Sequence, residues 1–318
     1  GGNHHSESVE LMNGSVVSQF TLLDLSHSRR LQLFLFGLVS ACYTASLLGN
    51  LLIVVTVQVD PDLLQSPMYF FLANLSLIDM ALGSVATPKM LSDLLSQGST
   101  ISYGGCMAQL FFLHFLGGSE MFLLTLMAYD CYLAICHPLS YTETMHRYRC
   151  LGLLATCWAG GLLHSSTQLV LVVWLPFCGP SKLDNFNCDV TQVAKLACSD
   201  TYMMVSNSGL ISLVCGSCFL LISTSYAYIL STIMKIRSAQ GRRKAFSTCA
   251  SHLLIILLFY GPGFFTHLRP YSSYSIDIDK VVFVFYTMVT PMLNPMIYSF
   301  RNKDMQAAFK KAMGRAKK

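Results

Sequence analysis

The sequence predicts an all-α fold, a seven-transmembrane helix bundle with an extracellular N-terminus and a short cytoplasmic amphipathic helix at the C-terminus. Three observations predict it. Of 318 residues, 53% are hydrophobic and 12% are charged, against roughly 25% charged in an ordinary soluble domain. Apolar stretches recur near 31–57, 68–90, 103–134, 150–175, 203–233, 245–268 and 279–300, each long enough for the roughly 20 residues that one bilayer crossing needs. Fourteen of the 21 Lys and Arg residues fall on one side of that arrangement. Basic connections stay cytoplasmic, so the N-terminus is expected outside and the C-terminus inside. With the acids counted, the inner side carries +9 and the outer side −2, while Asp79 and Glu120 lie within the membrane.

Residues 1–30 form the extracellular segment. They are polar and lack a basic start followed by a short apolar core, so the first helix is expected to act as the targeting signal. Residues 1–11 read as an extension ahead of Met12, and Asn13-Gly14-Ser15 is an acceptor sequence for N-glycosylation. The membrane domain spans 31–300. Its first helix holds Gly49-Asn50, the second opens at Pro67, and the third runs from Cys106 past Glu120 to Asp130-Cys131-Tyr132. A long connection with Cys178, Cys188 and Cys198 leads to the fifth helix, which ends near Tyr226. The sixth opens around His252 and the seventh closes on Asn294-Pro295 and Tyr298. Pro61, Pro67, Pro138, Pro180 and Pro270 sit at segment edges, where proline is accommodated. The cytoplasmic tail, 301–318, is basic, with Met305, Phe309 and Met313 at helical spacing, an apolar face suited to membrane lipid.

Asp79 and Glu120 are costly in a bilayer unless hydrogen-bonded, paired, hydrated or protonated. Asn50, Asn294 and Ser119 are candidates to supply the polar neighbourhood. Two carboxylates held close would share a proton or a cation; the alternative is a static polar knot that only fixes packing. Pro295 removes a helical hydrogen bond, and the freed carbonyl must be satisfied nearby, which makes a kink or pivot that Tyr298 follows. Interfacial anchoring is the other reading of Tyr298 and Tyr226. Of twelve cysteines, Cys106, Cys178, Cys188 and Cys198 face the oxidising side and allow three pairings; free thiols are the alternative, and zinc lacks accompanying histidines.

Other function classes find little support. The chain has no His-Glu-x-x-His, no Gly-x-Ser-x-Gly and no Gly-rich phosphate loop, so no catalytic residues are assigned. Seven helices do not divide into the equal halves of a repeat-built transporter, which ligand-dependent flux would reveal. The basic charge reads as topology and attraction to anionic lipid, with no folded basic surface for nucleic acid.

Five ordered motifs carry a more specific likeness: Gly49-Asn50; Pro67-Met68-Tyr69-Phe70-Phe71-Leu72 with Asn74-Leu75-Ser76 and Asp79; Met127-Ala128-Tyr129-Asp130-Cys131-Tyr132; Lys244 to His252; and Pro291 to Tyr298. Together they resemble the odorant (olfactory) receptor family of rhodopsin-like G-protein-coupled receptors, in its larger, terrestrial-type class. The likeness runs from about Met12 to the C-terminus.

The resemblance implies a disulfide from Cys106 to Cys188, leaving Cys178 with Cys198. It implies that Asn50, Asp79, Glu120 and Asn294 form a polar switch able to take a sodium ion, with no other cofactor. Asp130, Cys131, Tyr132, Tyr226, His252 and Tyr298 would serve coupling to a heterotrimeric G protein of the stimulatory olfactory type, with cyclic AMP as output. The implied location is the plasma membrane of olfactory cilia.

The ligand cavity is expected between the outer halves of helices three, five, six and seven. Helical spacing groups Leu113, Gly117 and Met121 with His114 and Gly118 on helix three, and Asn207, Leu210 and Ile211 on helix five. Helix six offers Tyr260, Gly263, Phe264 and His267, and helix seven Val284, Thr287 and Met288. Such a lining, small and apolar without a fixed counter-charge, favours a small volatile odorant over an amine or peptide. The chain departs from the family at Cys131, where an arginine is usual, so a folded receptor that couples weakly or not at all is the competing expectation. Asn187 also departs, standing where an aromatic is usual, and the start of helix five at Tyr202-Met203-Met204-Val205 reads a few residues short.

Overall fold

A computed structural model describes residues 18–22, 28–96, 99–177, 182–183, 187–190, 193, 196–197, 201–268, 276–301 and 303–315. Among these, seven long helices form the bundle: α1 Arg29–Val59, α2 Pro67–Leu95, α3 Tyr103–Cys136, α4 Arg147–Val173, α5 Thr201–Lys235, α6 Ala239–Leu268, and α7, which joins Ile276–Val284, Phe285–Val289 and Thr290–Arg301. An eighth helix, α8, covers Lys303–Arg315. We call the end nearest Cys106 outer and the end nearest α8 inner.

Helix starts follow local chemistry. Pro67 occupies the first turn of α2 after extended Ser66, where its missing N–H costs nothing. Ser102 caps α3, its Oγ accepting from the Gly105 amide at 3.1 Å. Asp60 accepts from the Asp62 amide at 3.1 Å and starts a short helix, Pro61–Gln65.

Six of the described helices are long and apolar enough to cross a membrane. The remaining long helix, α4, carries Thr156, His164, Ser165, Ser166, Thr167 and Gln168. It hides part of that polarity in the bundle: Ser165 donates to the Phe111 carbonyl at 2.5 Å, and both Ser165 and Gln168 are fully buried. Gly160 and Gly161 permit the close approach to α3, since a Cβ on Gly161 would lie 2.7 Å from the Ser119 amide nitrogen.

Two strands depart from the expected all-helical reading. β1, Gln19–Leu22, pairs antiparallel with β2, Ser99–Ser102, and the Leu183 amide donates to the Thr21 carbonyl at 2.8 Å. Phe20, Leu22, Ile101, Leu110, Val172 and Leu183 make a buried outer cap. At the other end, Met305 and Ala308 of α8 are buried in the main core, so Met305 faces the bundle where the sequence suggested membrane lipid. Half-buried Phe309 shares a shallow groove with Leu52, Ile53 and Thr56 of α1. The Met313 side chain is outside the described residues.

Candidate functional site

The Pro295 ring removes the amide that would bond the Pro291 carbonyl one turn back. Asn50 fills that role from α1, donating its Nδ2 to Pro291 O at 2.9 Å. Gly49 makes the contact feasible, because a Cβ there would lie only 3.0 Å from the Pro295 side chain. One turn along, Asn294 Nδ2 donates to Asp79 Oδ2 at 2.8 Å, with both residues buried. Glu120 lies close enough to Asp79 for their charges to interact, and its Oε2 accepts from the Tyr286 hydroxyl at 3.4 Å. Asn50, Asp79, Glu120 and Asn294 therefore lie on one path across α1, α2, α3 and α7. Ser119 lies elsewhere, against Gly161 of α4, because it points to the opposite neighbour of α3.

Asp79 Oδ1, Glu120 Oε1, Asn50 Oδ1 and Asn294 Oδ1 are buried acceptors without a protein hydrogen-bond partner. Oxygen acceptors with two carboxylates are the donor set a hard monovalent cation takes, so these residues fit sodium chemically. Among the described residues no group of three or more His, Cys, Asp or Glu side chains is arranged to hold a metal; amide oxygens would have to complete such a site.

Above this path lies a cavity of about 260 Å³. Leu113, His114, Gly117, Gly118 and Met121 of α3 line it, with His164 of α4, Ile211 and Cys215 of α5, Phe259 of α6, and Phe283, Tyr286 and Thr287 of α7. The roof is Asn187-Cys188-Asp189, held by the Cys106–Cys188 disulfide and by the Cys188 amide, which donates to Gln109 Oε1 at 3.0 Å. Gly117 admits the Tyr286 ring: a Cβ there would lie 2.7 Å from its hydroxyl. Tyr286 thus touches both the cavity and Glu120.

Several residues chosen by helical spacing fall outside this lining. Val284 and Met288 pack toward Val39, Met90 and Leu94 of α1 and α2. The lining triplet Phe283, Tyr286 and Thr287 has the expected spacing set back by one residue. The π-helical turn Phe285–Val289 accounts for it, since a π turn carries one residue more than a regular turn. Leu210 is exposed on α5, and Tyr260 is buried beside Phe219 and Phe259. The side chains of Asn207, Gly263, Phe264 and His267 lie outside the described residues, as do Cys178, Cys198 and Asn13. Spacing on helices three, five, six and seven also missed His164, Asn187, Asp189, Cys215 and Phe259. Asp189 corrects the expectation of a lining without a fixed charge; it interacts electrostatically with His114, whose ring is 5.8 Å from that of His164. Asn187 was visible only as a departure from the resembled pattern.

At the inner end, Asp130 Oδ1 accepts from the Tyr141 hydroxyl at 2.8 Å. Burial and the neighbouring Asp130 charge push the Tyr141 hydroxyl pKa up, so it stays a donor. Cys131 is buried beside Tyr226 and Cys249. Tyr226 hydrogen-bonds His252 Nδ1 at 2.8 Å, and Tyr132 meets His137 Nε2 at 3.0 Å. Tyr298 is buried in the neighbouring core. Arg147, Arg149, Lys235, Arg237, Arg242 and Arg243 are exposed around this end. Lys311 of α8 pairs with Asp60 at 3.2 Å, and its ammonium, with the Asp62 amide, holds the Asp60 carboxyl below its ordinary pKa.

Comparison with known proteins gives consistent results. A family profile described as Olfactory receptor matches residues 39–316. Olfactory receptor 4Q3 of Homo sapiens is 57% identical over 301 residues, covering 93% of this chain and 94% of that protein. Olfactory receptor 4K14 of Homo sapiens is 52% identical over 311 residues, covering 96% and 98%. Squid rhodopsin superposes with a TM-score of 0.71 over 91% of this chain and 87% of its own, at 17% identity, a likeness of fold alone.

Proposed function

We propose, from the premise that this chain belongs to the olfactory receptor family, that it detects a small, mostly apolar odorant in the cavity below Cys188 and signals through a stimulatory olfactory-type G protein, raising cyclic AMP. Family membership makes it a multi-pass membrane receptor for a small molecule, with a heterotrimeric G protein as partner, and not an enzyme. The ligand class, the G-protein type and residence in the plasma membrane of olfactory cilia are part of the proposal.

One observation carries it: Tyr286 lines the cavity and also donates to Glu120, which interacts with Asp79, which in turn holds Asn294 beside Pro295. A ligand that displaces Tyr286 perturbs this buried path without reaching the inner end. The volume, about 260 Å³, is below the roughly 300–1,000 Å³ of pockets for drug-sized ligands. A compact ligand with one hydrogen-bonding group near His114, His164 and Asp189 suits it. A sodium ion at Asp79 and Glu120 would add a positive charge to the path and stabilise both carboxylates when ionised. A glycan on Asn13 and a Cys178–Cys198 bond belong to the same reading of the outer face.

The second reading is a folded receptor that couples weakly. Its support is Cys131, a buried neutral thiol, while the adjacent Asp130 bonds Tyr141. Cyclic AMP is measured across an odorant panel in cells expressing this chain, Cys131→Arg or Tyr286→Phe, each at matched surface level. A response from this chain that Tyr286→Phe weakens supports the first reading. A response from Cys131→Arg alone supports the second, and silence from both at good surface level removes odorant signalling.

A further inference from the structure

Cys131 of α3 and Cys249 of α6 are both buried in an apolar cluster with Tyr226 and Ile229 of α5. Both side chains belong to the cluster that fills the α3–α6 interface, which places the two thiols as neighbours there. The Tyr226 hydroxyl donates to the Cys249 carbonyl at 3.4 Å and also hydrogen-bonds His252 Nδ1 on the next turn, which fixes the backbone that presents Cys249. Cys131 stands about one and a half turns from the inner end of α3, and Cys249 about three turns into α6. The pair therefore lies near the inner boundary of the bundle, far in the fold from the outer Cys106–Cys188 bond.

We propose that Cys131 and Cys249 are an oxidation site, a dithiol that a peroxide converts to a reversible disulfide tying α3 to α6. One thiol, as its thiolate, attacks a peroxide oxygen; the O–O bond breaks, leaving a sulfenic acid and releasing an alcohol, or water from hydrogen peroxide. The second thiol then attacks the sulfenic sulfur, the S–S bond forms, and hydroxide leaves with the thiol proton as water. Two thiols lose two electrons and two protons, and the peroxide accepts both. Confinement of the two thiols to one buried cluster shortens the search for a partner, which ordinarily limits such a reaction. Closure to the bonded distance of about 2.05 Å needs a change of side-chain rotamer and a close helix pair, both local adjustments. The bond joins positions 131 and 249, far apart in sequence, so it restrains separation of the two helices.

The full-length protein in membranes is exposed to increasing hydrogen peroxide, its remaining thiols are alkylated in denaturant, and peptides are mapped by mass spectrometry without reduction. The expected result is concerted loss of alkylated Cys131 and Cys249, with a linked peptide two hydrogens lighter than the pair that disappears on reduction with dithiothreitol. Cys131→Ser and Cys249→Ser each abolish the linked species; Cys131→Ala serves where the serine variant folds poorly, and the unsubstituted chain decides the question alone where neither does. Half-buried Cys136 reports that oxidant reached the inner end. Oxidation of Cys136 with Cys131 and Cys249 both still alkylated overturns the proposal. So does conversion of Cys131 to sulfinic acid without a link, or its linkage to another cysteine such as Cys218.

Discussion

Replacing Gly161 with alanine tests the α3–α4 contact that forms one wall of the ligand cavity. A Cβ at Gly161 would meet the Ser119 amide nitrogen at 2.7 Å and the Phe115 carbonyl oxygen at 2.8 Å, besides overlapping Ser119 Oγ. The hydroxyl can rotate away, but the two backbone atoms cannot move without the helix. Restoring ordinary contact near 3.4 Å requires α4 to retreat by about 0.6–0.7 Å, a gap that forfeits roughly a quarter to a half of each dispersion contact across the interface. The expected cost is at the top of the overpacking range, about 2–3 kcal/mol. That corresponds to roughly 4–12 °C in Tm at about 2–4 °C per kcal/mol. Two neighbours grade the effect. At Gly160 the added carbon meets only the Phe122 ring, at 2.9 Å, and a ring can turn, so a smaller loss is expected. At Gly152 nothing lies within 4 Å, and alanine should be neutral or stabilising by at most about 1 kcal/mol. Thermal unfolding of the three purified variants in detergent, with surface level in cells as a second reading, gives the order Gly152→Ala, Gly160→Ala, Gly161→Ala. A Gly161→Ala protein as stable as Gly152→Ala would refute the reasoning, because the clash is with backbone.

Asn50→Ala leaves the Pro291 carbonyl without the donor that replaces the Pro295 amide, and a fall in thermal stability of about 1–3 kcal/mol is expected; an unchanged Tm would mean that another group satisfies that carbonyl. Tyr141→Phe deprives buried Asp130 of its 2.8 Å donor, with a similar expected loss of about 1–3 kcal/mol, read in the same melts. Lys311 holds the Asp60 carboxyl pKa below its ordinary value, so the pair's contribution to α8 docking is complete above about pH 4 and is lost as pH falls through the lower folded value. Hydrogen exchange of α8 should show that loss on acidification at low salt, and Lys311→Met should weaken docking at neutral pH and remove this acid dependence; the pair is solvent-accessible, so salt should reduce the effect.

Hydropathy and basic-residue asymmetry made the bundle legible because a bilayer forces each crossing to be long, apolar and helical, and this constraint acts on every stretch separately. The α4 stretch was legible too, although its polar residues lower its hydropathy; their burial against α3 is a tertiary fact that hydropathy does not contain. The β1–β2 pair was not legible, since four-residue strands joined across some 80 positions leave no periodic trace. Cavity residues on α3 followed from the 3.6-residue period. Those on α7 were displaced by one because the π turn changes that period and nothing in Phe285-Tyr286-Thr287-Met288-Val289 announces it. Tyr286, the residue joining cavity to Glu120, is one of those displaced. The inner end shows a further limit. Sequence reading placed Asp130 beside a cysteine where an arginine is usual, whereas the fold brings Tyr141, eleven positions on, to the carboxylate. A buried acid demands a donor, but only the path of the chain decides which residue supplies it. With Tyr141 holding Asp130, Cys131 is released from any duty toward that charge and can meet α6 as a small buried thiol. Arginine at 131 would have to displace Tyr141 to reach Asp130 or remain unpaired beside Cys249, so, on the second reading, Cys131→Arg should raise coupling only where the Tyr141 contact yields.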